Sequence, residues 1–299
     1  MPQESHFCFH GWDTVELART YGTPLYVLSE ETIRDRCREI RERFLNRYPH
    51  TRALYASKAL NNLAVCRLID QEGLGLDVVS GGELYTAHRS GFPMGKVYFH
   101  GNNKTPDEIR MALDLGVGTI VVDSMQELSS LAAISQNRRD PVGILLRLSP
   151  GVDVNTHKYI STGHMGSKFG FPLHGQDLRE AVNFSLDHPY LDIRGFHFHL
   201  GSMLFDQLPY LMAVNIVLDK MRDFFEETGL VTHEINVGGG FGVPLLPGGS
   251  RVRIEDFTDP IMERIAEGTA SRGLKMPEVV IEPGRWIVSE AGITLYTVG

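Results

Sequence analysis

The chain has 299 residues, 42% hydrophobic and 22% charged, enough apolar material for one large core or two smaller ones and too ordinary a charge content for disorder. Its formal net charge is −8 with no basic stripe, which argues against a nucleic-acid partner. No apolar stretch reaches the roughly 18–20 residues of a bilayer span, MPQESHFCFH lacks a signal-peptide core, and Cys8, Cys37 and Cys66 have no CxxC spacing, so we expect no membrane, disulfide framework or zinc site and a cytoplasmic location.

In chain order, Thr23-Pro24-Leu25-Tyr26-Val27-Leu28 reads as an extra strand leading into a helix over 29–48. On that helix Arg34, Arg36, Arg38, Arg41 and Arg43 alternate with Glu39 and Glu42 and read as a solvated face. Then come eight nearly continuous apolar runs, at 53–56, 75–79, 97–100, 119–122, 143–148, 193–200, 234–237 and 279–281. Continuous rather than alternating hydrophobicity marks strands buried on both faces. Helical patterns fill the gaps at 62–72, 82–90, 106–115, 125–135, 208–228 and 254–272, with Pro106 after Thr105 as a sound helix start. Eight βα units predict a closed (β/α)₈ TIM barrel. An open doubly wound sheet would want a glycine-rich turn after its first strand, and this one is followed by Ser57-Lys58-Ala59. After the barrel, 292–298 reads as a further strand. Two orphan strands outside a closed barrel predict the start of a second β domain. The expected division is 1–29, an N-terminal segment with an extra strand; 30–285, the barrel; and 286–299, the first strand of a truncated C-terminal β domain.

A barrel gathers reactive groups where its strands end. Lys58 follows the first strand, where burial lowers an amine pKa and suits it to imine chemistry, against the plain alternative of a lysine that snorkels to solvent. The second strand carries Asp77 and runs into Ser80 and Glu83, at capping-box spacing. His197 and His199 share one side of the sixth strand; two histidines at that spacing are metal-ligand types, but no third ligand is evident and no metal is expected. Gly238-Gly239-Gly240 after the seventh strand lets backbone N–H groups approach a phosphate. Glu282 and Arg285 close the eighth strand with a carboxylate and a guanidinium, or simply a structural ion pair. A lysine, a phosphate loop with Ser202, a histidine plane and an acid at one barrel end are together what pyridoxal 5'-phosphate needs.

YASKA, GLGLDVVSGGELYTA, FHGNNKTPDEI, IVVDSMQEL, THKYISTGHMGSKFG, HFHLGS, GGGFG and EPGR, in this order between Thr23 and Arg285, resemble segments of the alanine-racemase-fold pyridoxal-phosphate decarboxylases. GNNKT and KYISTG…SKFG make the resemblance strongest to bacterial diaminopimelate decarboxylase. The resemblance implies decarboxylation of meso-2,6-diaminopimelate to L-lysine, with Lys58 in the imine, His199 stacked on the cofactor ring and Glu282 on its pyridine nitrogen. It implies Asp77 supporting ring or lysine, Ser202, Gly238, Gly239, Gly240 and Arg285 around the phosphate, and Arg285 as a contact for a substrate carboxylate. His157 and Lys168 lie in family segments without an assigned role. The family is a homodimer whose following β domain supplies a cysteine-containing segment and a tyrosine, so the resemblance implies a shortened chain with impaired turnover. GGGFG where GGGLG is expected, and HFHLGSM where glutamine should follow serine, keep open a decarboxylase of another amino acid or carrier-bound acyl group, or a non-catalytic cofactor-binding barrel.

Overall fold

Eight parallel strands form the barrel in this computed structural model, which describes residues 6–136, 138–153, 158–159, 169–173, 175–244 and 252–299. They are β1 (Thr51–Ala56), β2 (Gly75–Val78), β3 (Val97–Phe99), β4 (Thr119–Val122), β5 (Val142–Ser149), β6 (Leu191–His197), β7 (Glu234–Asn236) and β8 (Glu278–Ile281). Neighbours pair in that order, and β8 pairs with β1 through Ile281 opposite Ala53, which closes the ring. All eight predicted runs are therefore strands of one (β/α)₈ barrel.

Two apolar layers hold it. Leu54, Tyr98, Val121, Leu145 and Val280, from five strands, cluster inside the ring. The alternate strand residues, among them Tyr55, Leu76, Phe99, Ile120, Leu146 and Ile281, pack outward against the helices. Three successive βα turns are fixed alike. Ser80, Thr105 and Ser124 cap helices Gly81–Ser90, Pro106–Leu115 and Met125–Ser135 by accepting from the backbone N–H of Glu83, Glu108 and Glu127. Each glutamate reaches back to a backbone N–H, of Val79, Thr105 and Asp123 respectively. Among the described residues no helix is long and apolar enough to cross a membrane.

β6 contains the one irregularity that matters for chemistry. Its register against β5 slips between Ile193 and Gly195. The extra residue reverses the side-chain phase. Ile193, Phe196 and Phe198 all pack outward, while His197 turns into the ring. The strand ends at His197, so His199 sits beyond it, on the loop.

The two orphan strands pair with each other. Leu25–Leu28 runs antiparallel to Gly292–Leu295, with Leu28 opposite Gly292. Between them helix Glu30–Ile40 packs on the barrel. Its arginines are not a simple solvated face. Arg36 is buried, stacks over Trp286 and pairs with Glu39 and Glu290, while Arg34 and Arg41 converge on Glu72. Helical spacing alone does not reveal that this face meets other charged elements.

At the barrel floor Arg52 donates to the Tyr98 hydroxyl, which donates to Glu234 Oε2 at 2.9 Å. Burial pushes the Glu234 carboxyl up to about 7. A raised acid pKa gives stability that is whole below the unfolded value of 4.5 and is lost as pH rises to about 7. Relative to Glu234→Gln, the natural chain should therefore lose up to about 3 kcal/mol over that window. Urea unfolding at a series of pH values checks this; a pH-independent difference contradicts it.

Candidate active site

The inward positions at the C-terminal ends of the strands are polar. Each beside a residue that packs outward, they are Asp77 on β2, His100 after β3, Asp123 after β4, Arg147 on β5, His197 on β6, Asn236 on β7 and Glu282 after β8. All but Arg147 are buried. Above them opens a cavity of about 250 Å³. Its walls include Lys58, His199, Ser202, Gly240, Glu282 and Arg285, with Trp286 and Pro283 as apolar lining.

Lys58 stands on the 3₁₀ turn Ser57–Ala59 directly after β1. The sequence expectation of a buried amine is corrected here: Lys58 is exposed, because that turn lifts it over the rim of the barrel. The turn itself is tied down, with the buried Ser57 hydroxyl donating to Glu83 Oε2 at 2.8 Å. Glu83 thus both caps its helix and anchors the lysine turn.

The His199 ring is oriented by the Gly239 N–H, which donates to Nδ1 at 3.3 Å, leaving the proton of a neutral ring on Nε2. Burial, then the facing Lys58 charge, lowers its pKa to about 4. Of the three glycines only Gly240 lines the cavity. Gly238 and Gly239 lie behind it, and the Gly238 N–H is engaged by Asn236 Oδ1 at 2.9 Å. Gly240 has φ +94°, and a Cβ there would drive into the Gly201 carbonyl oxygen, so only glycine fits. Ser202 and Arg285 are exposed and line the same cavity, and Arg285 makes no ion pair among the described residues.

Glu282 is held on both oxygens. Oε1 accepts from Asn236 Nδ2 at 2.7 Å and lies 3.0 Å from His100 Nε2; Oε2 lies 3.3 Å from His197 Nε2. Burial opposes its charge, but facing His100 and His197 outweighs that and holds the carboxyl well below the usual range. Asp77 is different. Neither of its oxygens has a hydrogen-bond partner among the described residues, and burial pushes it up to about 6. His100 Nε2 lies 3.7 Å from its Oδ1.

The structure thus brings Lys58, His199, Ser202, Gly240, Glu282 and Arg285 to one cavity, sets Asp77 beneath it and puts Gly238 and Gly239 behind. His197 pairs with His100 and Glu282 rather than with His199. His157 and Lys168 lie outside the described residues. His100, Arg147 and Asn236 were missed by the sequence reading; counting alternate residues inward from Tyr98, Leu145 and Glu234 finds all three.

The residues fit pyridoxal phosphate. An amine stands ready for an aldehyde, and an unpaired guanidinium, a hydroxyl and a Cβ-free backbone suit a phosphate. A fixed imidazole suits a flat ring, and a charged carboxylate at the floor suits a protonated ring nitrogen.

The comparisons agree with the geometry. The family described as pyridoxal-dependent decarboxylase, pyridoxal binding domain, matches residues 30–289. The diaminopimelate decarboxylase of Bacillus subtilis is 39% identical over 297 residues, 99% of this chain and 68% of that protein. That of Halalkalibacterium halodurans is 41% identical over 296 residues, 99% of this chain and 67% of its own length. Among solved structures, the diaminopimelate decarboxylase of M. jannaschii in complex with L-lysine has a TM-score of 0.89 and 34% identity, with 98% of this chain and 68% of that one covered. The lysine/ornithine decarboxylase of Vibrio vulnificus, complexed with putrescine, stands further off at 0.74 and 25%, with 94% and 69% covered. A barrel with this cavity, matched over 99% of its length by diaminopimelate decarboxylases at 39% and 41% identity, belongs to the diaminopimelate decarboxylase family of pyridoxal-dependent decarboxylases.

Proposed function

We propose that this chain binds pyridoxal phosphate through Lys58 and decarboxylates meso-2,6-diaminopimelate to L-lysine and CO₂. The observation that carries the reading is the convergence of Lys58, His199, Glu282 and Arg285 on one cavity at the barrel mouth. When bound, the cofactor supplies the electron sink for the pair left by the breaking Cα–carboxylate bond.

The chain's own groups do the rest. The Lys58 amine is the attachment point and, when displaced by the substrate amine, a proton carrier at the cavity wall. Arg285 and Ser202, with the Gly240 backbone, hold the phosphate, and Arg285 also lies within the same wall for a substrate carboxylate. The His199 ring, locked by Gly239, presents a rigid wall. Glu282 accepts a hydrogen bond at its charged carboxylate, and Asp77 faces Lys58 from below. Trp286 and Pro283 narrow the access of water.

The resemblance also supports a homodimer acting on an amino acid in the cytoplasm. The ribbon of Leu25–Leu28 and Gly292–Leu295, with Tyr26 and Tyr296 exposed, supports its being the start of a second β unit after the barrel. The deciding assay offers meso-diaminopimelate and, separately, ornithine, arginine and lysine to the cofactor-loaded chain and measures CO₂ and the amine product. Lysine formed from diaminopimelate bears the reading out. Turnover of another amino acid alone, or a bound cofactor with no CO₂ from any of them, overturns it.

A further inference from the structure

Glu282 is the acid that the proposed function sets against the cofactor ring, and what surrounds it is unusual for a buried carboxylate. Both oxygens meet an imidazole Nε2, from His100 at 3.0 Å and from His197 at 3.3 Å. The two rings touch edge to face, with centroids 4.8 Å apart. Both histidines are buried beneath the cavity and reach it only through Glu282; neither lines it.

The His197 tautomer follows from its neighbours. His197 Nδ1 is buried without a hydrogen-bond partner among the described residues. A bare nitrogen lone pair is cheaper to bury than an unpaired N–H, so its proton belongs on Nε2, aimed at Glu282. His100 Nε2 lies 3.0 Å from Glu282 and 3.7 Å from Asp77 without an aligned hydrogen bond to either, so it meets the carboxylates by close approach. Arg147, Lys58, His199 and Glu83 also act on this layer, and Asp123 lies within it beside Arg147.

Resting on the reading that Glu282 addresses the ring nitrogen, we propose that His100 and His197 are positioning residues that grip the two Glu282 oxygens from below and fix the carboxylate's aim and proton inventory. Neither histidine touches the cofactor in this account. Their effect passes through Glu282 and depends on the ring nitrogen.

That dependence gives the test. Binding of pyridoxal phosphate, and of its deaza analogue in which carbon replaces the ring nitrogen, is measured on the natural chain, His197→Leu and His197→Gln, since His197 is the histidine that hydrogen-bonds Glu282. The leucine variant should lose about tenfold or more in affinity for pyridoxal phosphate, the weight of one hydrogen bond to a charged group. Its affinity for the deaza analogue should change by less than about threefold. Glutamine, which restores an N–H near the Nε2 position, should recover most of the loss. Equal losses with both cofactors, or no loss with either, overturn the proposal by making His197 merely structural or irrelevant. Should the leucine variant not fold, imidazole ¹⁵N shifts of the natural chain decide, since a His197 protonated on Nδ1 overturns the clamp and one protonated on Nε2 supports it. Failure of the natural chain to attach pyridoxal phosphate to Lys58 would instead remove the functional reading itself.

Discussion

Replacing Lys58 by alanine is expected to abolish covalent attachment of pyridoxal phosphate and to lower kcat for CO₂ release by about 10³-fold or more, the scale on which a positioned reacting group contributes. The effect should be chemical rather than structural. Lys58 is exposed on its turn, and the turn is fixed by the Ser57–Glu83 hydrogen bond and not by the lysine side chain. Folding stability should therefore change by no more than about 0.5 kcal/mol. Lys58→Arg separates the two properties of the residue: it keeps a cation opposite His199 and Asp77 but offers no amine for an aldehyde. Arginine should rescue neither attachment nor turnover. Borohydride reduction followed by peptide mapping reads the attachment site. Recovery of label on another lysine, or kcat within about tenfold of the natural value in the alanine variant, would refute the assignment.

Much of this was legible in the residues. The eight apolar runs became the eight strands because a parallel barrel buries both strand faces, and continuous hydrophobicity is the direct imprint of that burial. Helices Pro106–Leu115, Met125–Ser135 and Leu208–Thr228 begin and end where their patterns do, two of them opened by Thr105 and Ser124 as caps. The cavity residues were found by looking past strand ends, which works because strand polarity sets which end is open. What was not legible has a common cause. The buried exposure assumed for Lys58 depends on a three-residue turn, and the inward aim of His197 depends on the β6 bulge, which no alternation rule applied across 193–200 anticipates. The orphan strands were visible, but their pairing joins residues over 260 positions apart and carries no local signature. His100 and Asn236 act through a shared carboxylate; their meaning appears only when β3, β7 and β8 are folded side by side.

A second large effect is expected at a residue that does not line the cavity. Lys104 is buried at the start of the second capped turn, and its ammonium has three partners: the Gly101 carbonyl at 2.7 Å, the Val121 carbonyl at 2.8 Å and Glu127 Oε1 at 2.7 Å. Two N–H bonds reach the carbonyls, and the charge is met by Glu127 Oε1 as an ion pair. Burial lowers the Lys104 pKa and raises that of Glu127, each toward the neutral form, and the ion pair opposes both shifts. A buried pair of this kind contributes little net stability as a unit, because desolvation consumes most of the attraction, but removing one partner strands the other. Lys104→Met should therefore cost about 3–5 kcal/mol in unfolding free energy. Adding Glu127→Gln should return most of it, since the amide oxygen can still accept from the Asp123 N–H and no buried charge remains. The recovery, rather than the initial loss, separates a stranded charge from a packing defect: a cavity left by the lysine stem would be equally present in the double variant. Denaturant unfolding of the two single variants and the double completes the cycle. A double variant no more stable than Lys104→Met alone would mean that Lys104 holds the turn through the two carbonyls and not through Glu127.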